Sequence, residues 1–198
     1  MRTERAEERK RSVLDATLRL LAREGPRAVT HRAVAAEAGT SLRATTYYFD
    51  SRAALLREAL LHYATTSMER FARVIATPSD APREPLDEAA DRLAAVVMSD
   101  LEEDRVGLVA ELELCLEIGR DPELEGTYAT WERGLLEALE AYATVLGTRA
   151  PERDARLVLA TLRGLEIEAL VRPSRAPSRA DLRATFRALL GSLVRADG

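Results

Sequence analysis

The residues best suited to contact nucleic acid lie in a short segment between Thr30 and Tyr48. Guanidinium, hydroxyl and phenol groups can all reach base edges and phosphates in a DNA groove. These groups follow one another closely in the second half of the segment, and we expect a helix there to display them: Arg43, Thr45, Thr46, Tyr47 and Tyr48.

The same segment contains the signals for two short helices joined by a tight turn. Thr30 is a good N-cap for the first helix, and Ser41 is a good N-cap for the second. Between them, Gly39 can take the left-handed conformation that a sharp turn requires. The segment therefore has the dimensions of a helix-turn-helix.

The charge distribution supports a nucleic-acid partner for this end of the chain. The net charge of the 198 residues is −4, but residues 1–57 hold 12 basic and 7 acidic side chains, a balance of +5. Residues 58–198 hold the other 17 basic and 26 acidic side chains, a balance of −9. A polyanion is drawn to the first part and repelled by the second.

Other kinds of chemistry find little support in the residues. The chain has no Glu-x-x-His pair for a di-iron site and no glycine-rich phosphate loop, and the only cysteine, Cys115, has no histidine close to it in sequence. We therefore expect no enzyme activity, no metal site and no cofactor. A helical-bundle enzyme is the remote alternative.

The elements that position the Thr30–Tyr48 segment are predicted to be helices throughout. Ala, Leu, Arg and Glu are abundant, and glycine and proline pairs divide the chain into amphipathic segments, with one break predicted from Pro78 to Pro85. About nine helices and no strand are expected, which makes an all-α protein. Five of these segments have both bounds predicted: Arg5 to Glu24, Thr30 to Glu37, Leu42 to Phe49, Val106 to Ile118 and Pro122 to Leu146. The other four are predicted by their starting points: after Asp50-Ser51, from Leu86, from Pro151 and after Ser178.

We predict two domains, a basic helix-turn-helix DNA-binding domain over residues 1–50 and an acidic helical domain over residues 51–198. The charged first residues lack the apolar core of a secretory signal, and no stretch of about 18 uncharged apolar residues occurs. A cytoplasmic location without a membrane partner is expected.

The sequence resembles the TetR family of transcriptional regulators. The resemblance rests on the stretch from Ala28 to Ala35 (AVTHRAVA), on Ala38-Gly-Thr-Ser41, and on Thr46-Tyr-Tyr-Phe-Asp-Ser-Arg52 followed by Leu55-Leu56, with a further similar run from Leu162 to Leu170. It implies DNA contacts from these positions: Thr30, His31, Arg32, Ser41, Leu42, Arg43, Ala44, Thr46, Tyr47, Tyr48 and Arg52. Thr46 replaces a tyrosine common in the family, and Tyr47 replaces a frequent histidine, so which of the two binds phosphate is open.

The resemblance also implies that residues 51–198 form a ligand-binding and dimerisation domain, with an effector cavity and a dimer interface. The expected cavity residues are Met98, Leu101, Leu112, Cys115, Tyr128, Trp131 and Leu135. One of Glu111, Glu113 and Glu117 could face inward and favour a cationic ligand. The last two helices are expected to pair with those of a second copy through Leu159, Leu162, Glu166, Leu170, Phe186, Leu189, Leu190 and Leu193.

Together these features predict a homodimeric, ligand-responsive regulator, acting as a repressor that a small molecule releases from a palindromic double-stranded operator. The alternative is a DNA-binding regulator that responds to a partner protein, or to nothing, and has no small-molecule effector. A cavity of about 300 Å³ or more in the C-terminal domain would favour the ligand-responsive form.

Overall fold

The structure, a computed structural model, describes residues 2–76, 85–119 and 121–194. Within these ranges all regular structure is helical, which confirms the all-α prediction. The described helices are α1 (Arg2–Glu24), α2 (His31–Glu37), α3 (Leu42–Tyr48), α4 (Arg52–Ile75), α5 (Leu86–Glu103), α6 (Arg105–Ile118), α7 (Pro122–Val145), α8 (Pro151–Val171) and α9 (Arg179–Val194), with 3-10 turns at Pro26–Ala28 and Pro173–Arg175.

The predicted break from Pro78 to Pro85 lies outside the described residues, apart from Pro85 itself. None of the described helices is both long enough and apolar enough to cross a membrane.

The chain divides into two compact units. The first unit comprises Met1–Thr66 and Arg105–Trp131, and the second comprises Ser67–Asp104 and Glu132–Gly198. Helices α4 and α7 each contribute to both units. The boundary predicted after residue 50 was drawn by function, and it stays a prediction.

The core of the first unit forms where α1 packs against α2 and α6. Val13, Leu21 and Leu55 are completely buried, and Phe49 is 2% exposed. On α1 the buried side chains recur every three to four residues, so they form one apolar stripe along the helix. Thr17 lies on this stripe with 0% exposure, and it is satisfied locally because its hydroxyl donates to the Val13 carbonyl at 2.9 Å.

In the second unit α9 packs along α5. Leu182 and Phe186 of α9 are completely buried, as are Ala89 and Leu93 of α5. Burying a leucine or phenylalanine side chain stabilises the fold by about 1.5–3 kcal/mol. Arginines on α9 pair with aspartates on α5 beside this core: Arg179 with Asp91 at 2.8 Å, and both Arg183 (3.3 Å) and Arg187 (2.7 Å) with Asp87.

Candidate functional site

The two short helices and their turn are built by local capping. The Thr30 hydroxyl accepts a hydrogen bond from the Ala33 backbone N–H, and the Ser41 hydroxyl accepts one from the Ala44 N–H, both at 3.2 Å. Gly39 has φ of 62°, which lies in the left-handed region. The predicted caps and the predicted turn are therefore confirmed, and they fix where α2 ends and α3 begins.

Helix α3 presents most of the polar side chains that its sequence suggests. Tyr47 is 82% exposed, and Arg43 and Thr46 are exposed beside it. Thr45 was expected among the displayed residues, and that expectation is wrong. Its side chain is completely buried, and its hydroxyl donates to the Leu42 carbonyl at 2.8 Å. It lies on the inner side of α3, where it supports the packing of the helix.

Most of the predicted DNA-contact residues are accessible. His31, Ala44 and Tyr48 are half-buried, and the other eight are exposed: Thr30, Arg32, Ser41, Leu42, Arg43, Thr46, Tyr47 and Arg52. The Nδ1 atom of His31 is buried without a hydrogen-bond partner in the described part of the chain, which leaves Nε2 as the ring atom for an outside contact. The contacts with DNA themselves stay predictions.

Two arginines on this surface keep their guanidinium groups open. Within the described ranges, Arg32 and Arg43 form no hydrogen bond or ion pair. By contrast, Glu37 at the end of α2 holds Arg23 at 3.0 Å and Arg19 at 2.9 Å. These two guanidinium groups, Arg23 first, lower the pKa of the Glu37 carboxyl. The Glu37 carboxylate is thus already paired with two arginines, whereas the open guanidinium groups of Arg32 and Arg43 lie on α2 and α3.

Arg52 has a structural role that sequence reasoning missed. It begins α4, and its guanidinium donates to the carbonyls of Val29 (3.1 Å) and Pro26 (2.6 Å). These bonds tie the start of α4 to the 3-10 turn before α2. Because the side chain is still exposed, an additional phosphate contact stays a prediction.

The predicted effector residues divide between the two units. Met98, Leu101 and Leu135 pack at the edge of the core of the second unit. The other four belong to the first unit: Leu112, Cys115, Tyr128 and Trp131. Their role in a single cavity stays a prediction.

In the first unit a carboxylate lies buried beside aromatic rings. Among the three glutamates considered on α6, Glu111 is the buried one, at 6% exposure. Its Oε2 accepts a hydrogen bond from the Tyr63 hydroxyl at 3.1 Å, and the Tyr63 ring is in edge contact with Trp131. We call Tyr63, Glu111, Cys115, Tyr128 and Trp131 the Glu111 cluster. Sequence reasoning missed Tyr63 because its spacing on α4 also fits ordinary core packing.

The second unit has a surface groove of about 580 Å³ between α5 and α9. Its volume exceeds the threshold set above, but its lining includes the paired charges of Asp87, Asp91, Arg179 and Arg183. Small-molecule sites are usually lined mainly by apolar and aromatic groups. This groove therefore lends no support to an effector site.

The dimer residues predicted on α8 and α9 are mostly buried within the protomer. Six of them are buried in the protomer's own second unit and have little surface to offer a partner: Leu159, Leu162, Glu166, Phe186, Leu190 and Leu193. Leu170 and Leu189 are half-buried. Glu166 is hydrogen-bonded to Asp100, whose pKa is raised by burial although Arg70 opposes the shift. The amphipathic pattern located these mostly apolar positions correctly, and their part in a dimer contact stays a prediction.

A capped helix-turn-helix with an open basic face, followed by a helical body, defines a DNA-binding transcriptional regulator. Residues 13–59 match the model of the "bacterial regulatory proteins, tetR family", and residues 84–192 match that of the "tetracyclin repressor-like, C-terminal domain". The chain belongs to the TetR family of transcriptional regulators.

Solved structures agree with this assignment. A TetR-family protein from Streptomyces coelicolor A3 is 30% identical, with 92% of this chain and 98% of the other covered and a TM-score of 0.70. The multidrug binding protein EbrR, solved with ethidium, is 29% identical over 92% and 98% of the chains, with a TM-score of 0.67. A transcriptional regulator from Saccharomonospora viridis, solved with choline, shares the fold at 21% identity over 96% and 97%, with a TM-score of 0.73. Among curated proteins, none matches the chain.

Proposed function

We propose that the protein is a homodimeric repressor that binds a palindromic operator and releases it when a small molecule binds. The observation that carries the proposal is the surface of α3, where an open Arg43 and a highly exposed Tyr47 project from a helix that Ser41 caps. A helix presented in this way can enter the major groove, with the guanidinium reaching a guanine edge and the phenol reaching a phosphate. The protein would act in the cytoplasm and catalyse no reaction.

A single short recognition helix reads few base pairs, so the proposal includes a second copy of the chain. Two recognition helices related by a two-fold axis would read half-sites about 34–36 Å apart. This spacing requires a dimer contact that holds both copies at a fixed distance.

We assign that contact to an exposed row of small and apolar side chains on α8. The members recur at alternating steps of three and four residues, so they share one face over about 21 Å of helix. We call them the α8 stripe: Leu157, Ala160, Gly164, Ile167 and Val171. Leu157 is 43% exposed, Ile167 is 44% exposed and Val171 is 70% exposed in the protomer. On α9, Ala184 and Ala188 are exposed and small enough to let another helix approach closely.

Control by a small molecule is supported by the relationship to EbrR, which holds ethidium in its solved structure. For an effector to release DNA, it must bind the form with wrongly spaced recognition helices more tightly than the DNA-bound form. The alternative, a regulator without a small-molecule effector, predicts operator binding that no small compound alters.

The test is an electrophoretic mobility shift with the DNA that flanks the protein's own gene, at several salt concentrations. We expect a specific complex of two chains per palindrome, whose affinity falls as salt rises because phosphate contacts release counterions. A scrambled duplex of the same composition is the control. Equal binding to both duplexes across physiological salt would refute the proposal.

A further inference from the structure

A groove of the first unit lies between α1 and α6, two helices that pack against each other. Its volume is about 330 Å³, within the range of about 300–1,000 Å³ that is usual for small-molecule sites. Each of the two helices contributes three lining residues: Arg19, Ala22, Arg23, Arg105, Val106 and Val109. The described lining shares no residue with the effector cavity expected from the family resemblance, so the groove is a separate site.

The apolar part of the groove consists of three aliphatic side chains. Ala22 and Val109 are half-buried, whereas Val106 is 44% exposed although it is apolar. Covering such a surface is favourable because the hydrophobic effect drives apolar area out of water. The groove is therefore suited to a ligand that has an apolar body.

The three guanidinium groups of the same groove differ in what compensates their charge. Arg19 donates through Nε to Glu37 at 2.9 Å, and Arg23 pairs with Glu37 at 3.0 Å and with Glu24 at 2.9 Å. Within the described ranges, Arg105 forms no hydrogen bond or ion pair. The two carboxylates thus offset two of the three positive charges, and the groove keeps one net positive charge.

We propose that this groove binds an organic monocarboxylate, with the carboxylate on the arginines and the apolar body on the three aliphatic side chains. A planar guanidinium group matches a carboxylate because it can donate two parallel N–H bonds to it. Arg105 has no internal partner among the described residues, and Arg19 retains further N–H donors because Glu37 engages its Nε. The single negative charge of the ligand equals the net positive charge of the groove. This site goes beyond the proposed function and does not depend on it.

The composition of the groove disfavours other classes of ligand. An organic cation would be repelled by the net positive charge, and no carboxylate is among the described lining residues. Inorganic phosphate would satisfy the guanidinium groups but would leave the valines in contact with water. A neutral apolar compound would cover the valines but would gain nothing from the charge of Arg105. A monocarboxylate with an apolar body suits both parts of the groove.

Glu37 connects the groove to the helix-turn-helix, since it ends α2 and holds two of the arginines that line the groove. A bound carboxylate would share Arg19 and Arg23 with Glu37, and the two negative charges would repel each other. Removing the charge of Glu37 should therefore strengthen binding. A variant that only damaged the fold would weaken binding, so the sign of this effect is diagnostic.

Isothermal titration calorimetry on the full-length protein, without DNA, tests the site. The probes are benzoate and hexanoate. Their amides keep the apolar body without the charge, acetate keeps the carboxylate with almost no body, and inorganic phosphate supplies a different anion. All titrations use one ionic strength, because salt screens exposed charges. We expect at least one probe to bind saturably, about tenfold or more tightly than its amide, acetate or phosphate, because each of these lacks either the charged hydrogen bonds or the apolar contact.

The variant Arg105→Ala removes the uncompensated charge, and we expect it to weaken binding of the probe about tenfold or more. It should fold normally because Arg105 has no internal partner among the described residues. The matched control is Arg9→Ala, which removes an exposed arginine of α1 about 15 Å along the helix from Arg19. The control should bind the probe like the wild type. Glu37→Gln should bind it severalfold more tightly than the wild type.

Three results with the wild type and Arg105→Ala would each overturn the proposal. The first is no saturable binding of either probe up to about 10 mM, beyond the millimolar end of the affinity scale. The second is an amide, acetate or phosphate that binds as tightly as the probe, and the third is unchanged affinity in Arg105→Ala. Unchanged or weaker binding by Glu37→Gln would also overturn it, because the carboxylate would then lie away from the arginines that Glu37 holds. None of these titrations involves an operator, so their failure would leave the proposed function intact.

Discussion

The arginines of the N-terminal helices fall into two groups according to their partners. Arg19 and Arg23 are engaged with Glu37, whereas Arg32 and Arg43 form no hydrogen bond or ion pair within the described ranges. An arginine in the second group can bind DNA without first breaking an internal pair. Arg43 also projects from α3, the helix proposed to enter the major groove, and it is therefore the best candidate for a base contact.

The first prediction concerns Arg43→Ala. A guanidinium bound to a guanine edge is worth about 1–3 kcal/mol of discrimination between bases, so the variant should lose preference at one base pair of each half-site. Fluorescence anisotropy with operators substituted at single positions measures this loss. Arg133→Ala on α7, also an exposed arginine, is the control. Full discrimination retained by Arg43→Ala would place α3 outside the major groove.

Arg52 is expected to serve both the fold and the DNA contact, and two variants separate these roles. Arg52→Ala should lower the free energy of unfolding by about 1–2 kcal/mol, because the carbonyls of Pro26 and Val29 lose their charged donor. It should also reduce the salt slope of DNA binding by about one.

Arg52→Lys keeps the positive charge but not the planar fork that reaches both carbonyls. We expect the salt slope of the wild type together with reduced thermal stability. If Arg52→Lys matched the wild type in both measurements, the two hydrogen bonds would contribute nothing, and if Arg52→Ala kept the wild-type salt slope, Arg52 would not contact phosphate.

Neighbouring positions on α3 show what sequence reasoning could and could not resolve. The exposure of Arg43 and Tyr47 follows from their polarity and from the length of the segment. Thr45 and Thr46 have the same side chain, and only the rotation of α3 about its axis places Thr45 inside and Thr46 outside. That rotation is set by packing against α2, which a short helix does not reveal through its own periodicity.

At the scale of elements, the start of α3 depends on Ser41, and Ser41→Ala should cost about 1 kcal/mol because the Ala44 N–H loses its acceptor. Ser41→Asp should restore the stability, because aspartate caps as well as serine and suits the positive end of the helix. The same variant should weaken operator binding, because its carboxylate would face phosphates. Chemical unfolding and anisotropy measure the two effects, and strong operator binding by Ser41→Asp would show that the start of α3 faces away from DNA.

Helix starts were predictable because capping is local chemistry. The Ser51 hydroxyl accepts a hydrogen bond from the Ala54 N–H at 3.0 Å. At the start of α9, the Ser178 N–H donates to the Asp181 carboxylate at 3.0 Å, and the Asp181 N–H donates to the Ser178 hydroxyl at 3.3 Å. The function of each face of α8 was not predictable in this way. Both faces carry apolar residues, and periodicity cannot tell which face the protomer covers with its own α5 and α9.

At the scale of the whole molecule, the proposed function requires two copies, and the α8 stripe is the surface that would join them. Gly164 lies in the middle of the stripe, and a Cβ added there would meet nothing within 4 Å in the protomer. The protomer therefore has no steric need for glycine at this position. A partner helix packed closely against α8 would leave no room for a side chain at position 164, and this would account for the glycine.

The last prediction compares one residue on the stripe with one beneath it. Ile167→Glu should place a charge in the dimer contact, produce monomers in analytical ultracentrifugation, and weaken operator binding about 100-fold or more through loss of bivalency. Leu162→Ala, beneath the stripe at 3% exposure, should instead cost about 2–5 kcal/mol of protomer stability and leave the folded protein dimeric. Leu116→Glu controls for a new charge at an exposed leucine, since Leu116 lies on α6 at 73% exposure. A dimeric Ile167→Glu with full operator affinity would mean that the copies meet through another surface, because a glutamate buried against a partner could not be tolerated without a compensating charge.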